Sequence, residues 1–204
     1  MAETSTQPES PKDAALRAVG RTVVNFQRLE HNLKLAAQLG RIQGTLERLQ
    51  TNAGKRRERA QSLTLGQAIQ AWLSYLGGDS TPAAWTPDLF DISVQVTFSL
   101  EADGAGPDAH AETLRSLLET RNALVHGRLA TFPWASEDAC AQLVVELDTV
   151  NASLAEQIEY VAALVGEIQR AHREVADGVV AAIEAAQTRQ GGGDTMPDPS
   201  SERR

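Results

Sequence analysis

Seven consecutive residues, Arg121-Asn122-Ala123-Leu124-Val125-His126-Gly127, combine side chains that can do chemistry. A guanidinium holds a phosphate through paired hydrogen bonds, an imidazole gives or takes a proton near neutral pH, and a carboxamide can orient either. The same stretch also reads as a helix running out into glycine, so the question is whether Arg121, Asn122 and His126 form a polar site. Leu114, Leu118, Arg121 and Val125 share one stripe of a helix that starts near Asp108, which puts an arginine where periodicity asks for an apolar residue. Asn122 and His126, four apart, lie on the neighbouring face. Arg121 and His126, five apart, stand about 140° from each other around an ideal helix, too far to point into one small pocket. They can border a groove if Gly127 ends the helix and lets His126 turn. Alternatively, a two-fold axis beside the helix brings two copies of the stretch into one composite site.

The elements that must position these residues are mostly helical. Ser10, Pro11 and Asp13 carry the cap, first-position and dipole signals of a helix start, and that helix is expected to run to about Leu39. Leu16, Val19, Val23, Phe26, Leu33 and Ala37 follow helical spacing along it, with Leu29 beside the line and Glu30 on it. A carboxylate in such a stripe sits at a rim or pairs with a core arginine, or else it borders a functional cleft. The next segment, from Arg41 to Ser62, is helical by composition, with Gly44 and Gly54 as interruptions, and concentrates positive charge in Lys55, Arg56, Arg57 and Arg59. It reads either as a solvated helix face or as a phosphate-contacting patch. Thr64 and Gln67 have capping-box spacing ahead of Leu65, Ile69, Trp72, Leu73 and Leu76, a short core helix in which Trp72 is expected to pack.

Residues 91–101, DISVQVTFSLE, alternate strictly and predict a strand within an insertion spanning about 85–101. Its ladder partner is expected to be the Trp85–Phe90 region or another protomer. Ser136, Glu137 and Asp138 open a further helix whose apolar residues, from Leu143 through Leu147, Val150, Leu154, Ile158, Val161 and Val165, keep three-four spacing across 137–190. Fifty unbroken residues would reach roughly 75 Å, so the pattern predicts a break near Gly166 or an extension as a packed antiparallel pair or dimer arm. One helical domain is thus expected over 11–190, with polar, mobile tails at 1–10 and 191–204.

At 204 residues, 42% hydrophobic and 23% charged, the chain can bury a core. A net charge of −8 argues against general polyanion binding, leaving only a local basic patch for such a role. Cys140 alone cannot form an internal disulfide or a multi-cysteine metal site and is expected to pack. His31, His110, His126 and His172 are scattered without metal-site spacing, so neither metal nor cofactor is expected. The N-terminus lacks a signal-like apolar stretch and no window is apolar enough to span a membrane, so the expected location is the cytoplasm.

An arginine, a directly following asparagine, and a histidine after four intervening residues, all in a mainly helical chain, resemble the hallmark of the HEPN superfamily, carried here by Arg121, Asn122 and His126. The resemblance spans 12–190, with six specific positions; NFQRLEHNLK at 25–34 and the Thr64–Gln67 start also resemble a bacterial branch of HEPN-like proteins. It implies a mainly α, HEPN-like helical bundle, here with one short strand or hairpin insertion and a long C-terminal helix. It further implies a homodimeric, metal-independent ribonuclease of toxin–antitoxin or anti-phage defence systems. In that chemistry the ribose 2′-hydroxyl attacks the adjacent phosphate, Arg121 stabilises the developing charge, His126 moves the proton and Asn122 orients histidine or substrate. RNA would arrive over Lys55, Arg56, Arg57 and Arg59, with a phosphate contact from Arg128, and an antitoxin or defence-system protein would be a partner. In the branch paired with nucleotidyltransferase antitoxins, a modified tyrosine stands two residues beyond the histidine. Arg128 occupies that position here, so control by tyrosine modification is not expected. The competing reading is a non-catalytic helical module that senses a nucleotide or RNA, or binds a partner, on the same fold.

Overall fold

The computed structural model describes residues 9–39, 41–76, 93–97 and 106–191, and the fold they form is mainly α. The expected tails, apart from residues 9, 10 and 191, the loop at 79–90, and the insertion at 85–101 apart from 93–97, lie outside the described residues. The chain divides into two compact units, residues 1–165 and 166–204.

Helix α1 (Pro11–Leu39) begins at a built cap: Ser10 Oγ accepts the Asp13 N–H at 3.1 Å and donates to the Asp13 carboxylate at 2.7 Å. Its buried face is Ala15, Ala18, Thr22, Phe26, Leu29, Leu33 and Ala36, which is rotated from the expected stripe, and Leu16 is 46% exposed. The rotation follows from polar pairing that periodicity does not register. Asn151 donates to the Thr22 hydroxyl at 2.9 Å and accepts from Asn25 at 2.8 Å, which holds this face against the last helix.

After α1 the chain is extended. Strand β1 (Arg41–Thr45) precedes α2 (Leu46–Gln61) and α3 (Leu65–Leu76); β2 (Ser93–Thr97) pairs antiparallel with β1, Arg41 opposite Thr97 and Thr45 opposite Ser93. One expectation is thereby corrected: Arg41–Thr45 is strand rather than helix, and it pairs with β2, while Trp85–Phe90, the expected ladder partner, lies outside the described residues. Backbone groups of an extended segment need a ladder, and β1 supplies one that composition, read as helical, concealed. The expected capping box of α3 is present: the Thr64 N–H bonds Gln67 Oε1 at 2.9 Å, and the Gln67 N–H bonds Thr64 Oγ1 at 3.4 Å.

Helix α4 (Gly106–Ala123) runs antiparallel to α3, with Trp72 meeting His110 near one end and Gly66 lying against Leu118 near the other. It does not stop at Gly127. A π-helical turn, Leu124–Arg128, follows at once, closed by the Leu129 N–H bonding the Leu124 carbonyl, and leads into the short α5 (Leu129–Thr131). Ser136 then caps α6 (Glu137–Gly191), its Oγ accepting the Ala139 N–H at 3.3 Å. Gly166 and Gly178 are both helical.

Within residues 1–165, α1 and α6 run parallel, as the Arg21–Asp148 ion pair, the Asn25–Asn151 bond and the Asn32 bond to the Ile158 carbonyl follow the same order on both helices. Leu29, Leu33, Ile69, Trp72, Leu114, Leu154 and Val161 form the larger apolar cluster; Ala15, Ala18, Leu124, Cys140 and Leu143 form a second at the other end. Cys140 is buried there as expected. In the second unit, the helical residues from Gly166 carry an ion pair between Arg170 and Glu167 at 2.6 Å. Among the described residues no helix is long and apolar enough to cross a membrane.

Candidate functional site

Arg121 sits at the end of α4, half-buried, and lines an open cleft of about 490 Å³ with Asn122, Glu30, Lys34 and the Gln61–Gly66 segment joining α2 to α3. The capping box at Thr64 shapes one wall by fixing where α3 begins. Arg121 donates to Asn122 Oδ1 at 3.2 Å, so the asparagine steadies the guanidinium. Glu30 borders this cleft, and its partner is not a core arginine. It is Lys34, one helical turn away, at 2.6 Å, and both side chains are mostly buried, 27% and 19% exposed. The pair leaves the cleft with Arg121 as a guanidinium that has no carboxylate partner among the described residues.

His126 is placed differently. It lies in the π-turn, exposed, outside the lining of the Arg121 cleft, with no hydrogen-bond or ion-pair partner among the described residues. Val125, expected on the buried stripe, is 40% exposed while Leu124 is buried. The cause is the turn itself. A π-turn advances each residue less around the axis than the ideal helix does, so Leu124 takes the inward position and the ideal separation of Arg121 and His126 no longer applies.

A second cleft of about 370 Å³ adjoins the first and shares Lys34 and Gln61 with it; His31, Leu35, Gln38 and Arg57 complete it. Of the four basic residues of α2 expected to meet RNA, Arg57 alone lines a described cleft. Lys55 and Arg59 are exposed on the same helix. Arg56 is half-buried, its Nε has no hydrogen-bond partner among the described residues, and desolvation lowers its pKa from the ordinary arginine value. Arg128 stands apart, its guanidinium engaged by Glu146 and lying 5.9 Å from the Phe132 ring centre. That hydrogen bond holds the Glu146 carboxyl below the usual carboxylate value.

The structure thus brings together Arg121, Asn122 and Glu30, links Arg57 to them through Lys34 and Gln61, and leaves His126 and Arg128 elsewhere. Lys34 and His31 were not among the sequence candidates. The spacing of Glu30 and Lys34, four apart, signals their pairing; nothing local signals that His31 lines one cleft with Arg57. Comparison with protein-family models, curated proteins and solved structures returned no match.

Proposed function

We propose that the chain is a HEPN-like, metal-independent endoribonuclease of a bacterial toxin or anti-phage defence system, working as a cytoplasmic homodimer with a composite Arg121/His126 site. The observation that carries this reading is an arginine steadied by Asn122 in an open cleft, beside an exposed histidine with no described partner. Polar groups held ready in this way suit a site that waits for a ligand. In the reaction, the ribose 2′-oxygen attacks phosphorus, its proton passes to a base, and the bond to the 5′-oxygen breaks, leaving a cyclic phosphate and a 5′-hydroxyl. Arg121 neutralises charge on the phosphate oxygens, and the imidazole of His126 carries the proton. Because His126 lies outside its own cleft, the composite arrangement has it reach the cleft of a second copy. An antitoxin or a defence-system protein is the partner that restrains or recruits the enzyme.

Arg121→Ala and His126→Ala are each expected to lower RNA cleavage at least about a hundredfold while leaving folding intact. Mixing the two inactive chains restores activity if the site is composite, since one site of each mixed dimer regains both residues. Failure of the mixture to recover, with dimers verified by light scattering, rejects the composite site. The position of His126 outside the cleft also favours a second reading, a non-catalytic nucleotide or RNA sensor or partner-binding subunit. A wild-type dimer that binds RNA and leaves it intact selects that reading.

A further inference from the structure

We propose that the cleft beside Arg57 is a second phosphate site, continuous with the Arg121 cleft, so that the ligand is a strand with at least two phosphodiesters rather than a mononucleotide. The inference rests on reading the Arg121 cleft as an RNA site. Lys34 and Gln61 belong to both clefts, and along α1 the lining runs from Glu30 to Gln38. Eight residues of helix cover about 12 Å, more than one phosphate group can touch. Among the described residues, Arg57, Lys34 and Arg121 give this surface three cations against the single carboxylate of Glu30, in a chain whose net charge is −8. Neither Arg57 nor Arg121 has an ion-pair partner among the described residues, so their charge is available to a ligand.

Lys34 has a distinct part. Its ammonium is held by Glu30 at 2.6 Å, where a phosphate oxygen would otherwise bind, and an arriving strand competes with that carboxylate. The chemistry of the walls also says how the strand is read. Apart from His31, no aromatic ring among the described residues lines either cleft, so those walls scarcely supply base stacking and recognition falls on the backbone. Binding is therefore tolerant of sequence and steeply dependent on salt.

The test uses the full chain and a fluorescent single-stranded oligoribonucleotide methylated on every 2′-oxygen, which has no hydroxyl to attack, with affinity followed by anisotropy across salt concentrations. Arg57→Gln is expected to weaken binding about fivefold and reduce the salt slope by ~0.7, the value for one lost phosphate contact on a single strand. Glu30→Gln, which frees Lys34, is expected to tighten it about threefold. Arg115→Gln removes the same charge from an exposed position of α4 that lines neither cleft, and is expected to change affinity by less than about twofold. Equal losses from Arg57→Gln and Arg115→Gln, unchanged affinity in Glu30→Gln, or no binding by the wild-type chain would each overturn the second site. A chain that binds the methylated strand as expected but leaves ordinary RNA intact rejects the ribonuclease and keeps the site.

Discussion

Two histidines at opposite ends of the same helical run are put to opposite uses. His110, near the start of α4, is buried and accepts the Trp72 indole N–H at Nε2 over 2.8 Å, with the Tyr160 ring centre 4.5 Å away. Its proton therefore rests on Nδ1, and the ring serves as a fixed acceptor inside the core. Burial pushes its pKa below the usual histidine value, and Gln157 opposes part of that shift although its Oε1 falls short of a good hydrogen bond. His126, just beyond the other end, is exposed, unpartnered among the described residues, and set in a π-turn. The interior end satisfies its polar groups and gains rigidity; the open end leaves Arg121 and His126 to be satisfied by something else. Type of residue alone did not distinguish these roles.

That contrast can be broken most directly at Trp72. Trp72→Ala removes a side chain 1% exposed and the donor to His110, and should cost about 3–5 kcal/mol in urea denaturation. A cost under about 1 kcal/mol would mean that this end is not the rigid one. Next comes the buried link between α1 and α6. Asn151→Ala removes the donor to the Thr22 hydroxyl, which keeps its bond to the Ala18 carbonyl, and leaves the Asn25 amide without its acceptor, with an expected loss of about 1–3 kcal/mol.

A smaller effect follows from pH. The folded pKa of His110 is depressed, so on acidification the unfolded chain takes up the proton first. The stability this group supports is intact above about pH 6.5 and declines as pH falls from there toward the folded value. Urea midpoints at stepwise lower pH should therefore fall more in the wild type than in His110→Gln; parallel profiles would show that His110 is not held neutral. The least effect belongs to Arg128→Ala. Its ion pair with Glu146 is about two-fifths exposed on both sides, so thermal denaturation should register no more than about 1 kcal/mol.

Helix starts were legible because capping is local. Ser10, Thr64 and Ser136 each hold an N–H three residues on, within reach of reasoning about neighbours. The alternation of β2 was legible for the same reason, whereas β1 was not: its partner Ser93–Thr97 is far along the chain, and Arg41–Thr45 shows no alternation of its own. The buried face of α1 was misplaced because Thr22 and Asn25 count as polar in a periodicity and become interior only when Asn151 meets them. At the site, the residue types Arg121, Asn122 and His126 were readable, and Glu30 was noticed for standing in an apolar line. Their grouping was not, because a cleft is made by three segments, α1, the α2–α3 junction and the end of α4.

By itself the sequence determined where the capped helices begin, that a core of Leu, Ile, Val and Trp would form, and that a guanidinium, a carboxamide and an imidazole follow one another at the end of a helix. These depend on neighbours within a turn or two, which the order of residues specifies directly. Tertiary packing alone set that Arg121 shares a cleft with Lys34 and Glu30, that Arg57 of the basic cluster lines the adjoining cleft, and that His110 is locked while His126 has no partner among the described residues. It also decided that the helix widens into a π-turn instead of ending at Gly127. Each of these outcomes turns on which surfaces meet, and packing between distant segments settles that after local structure has formed.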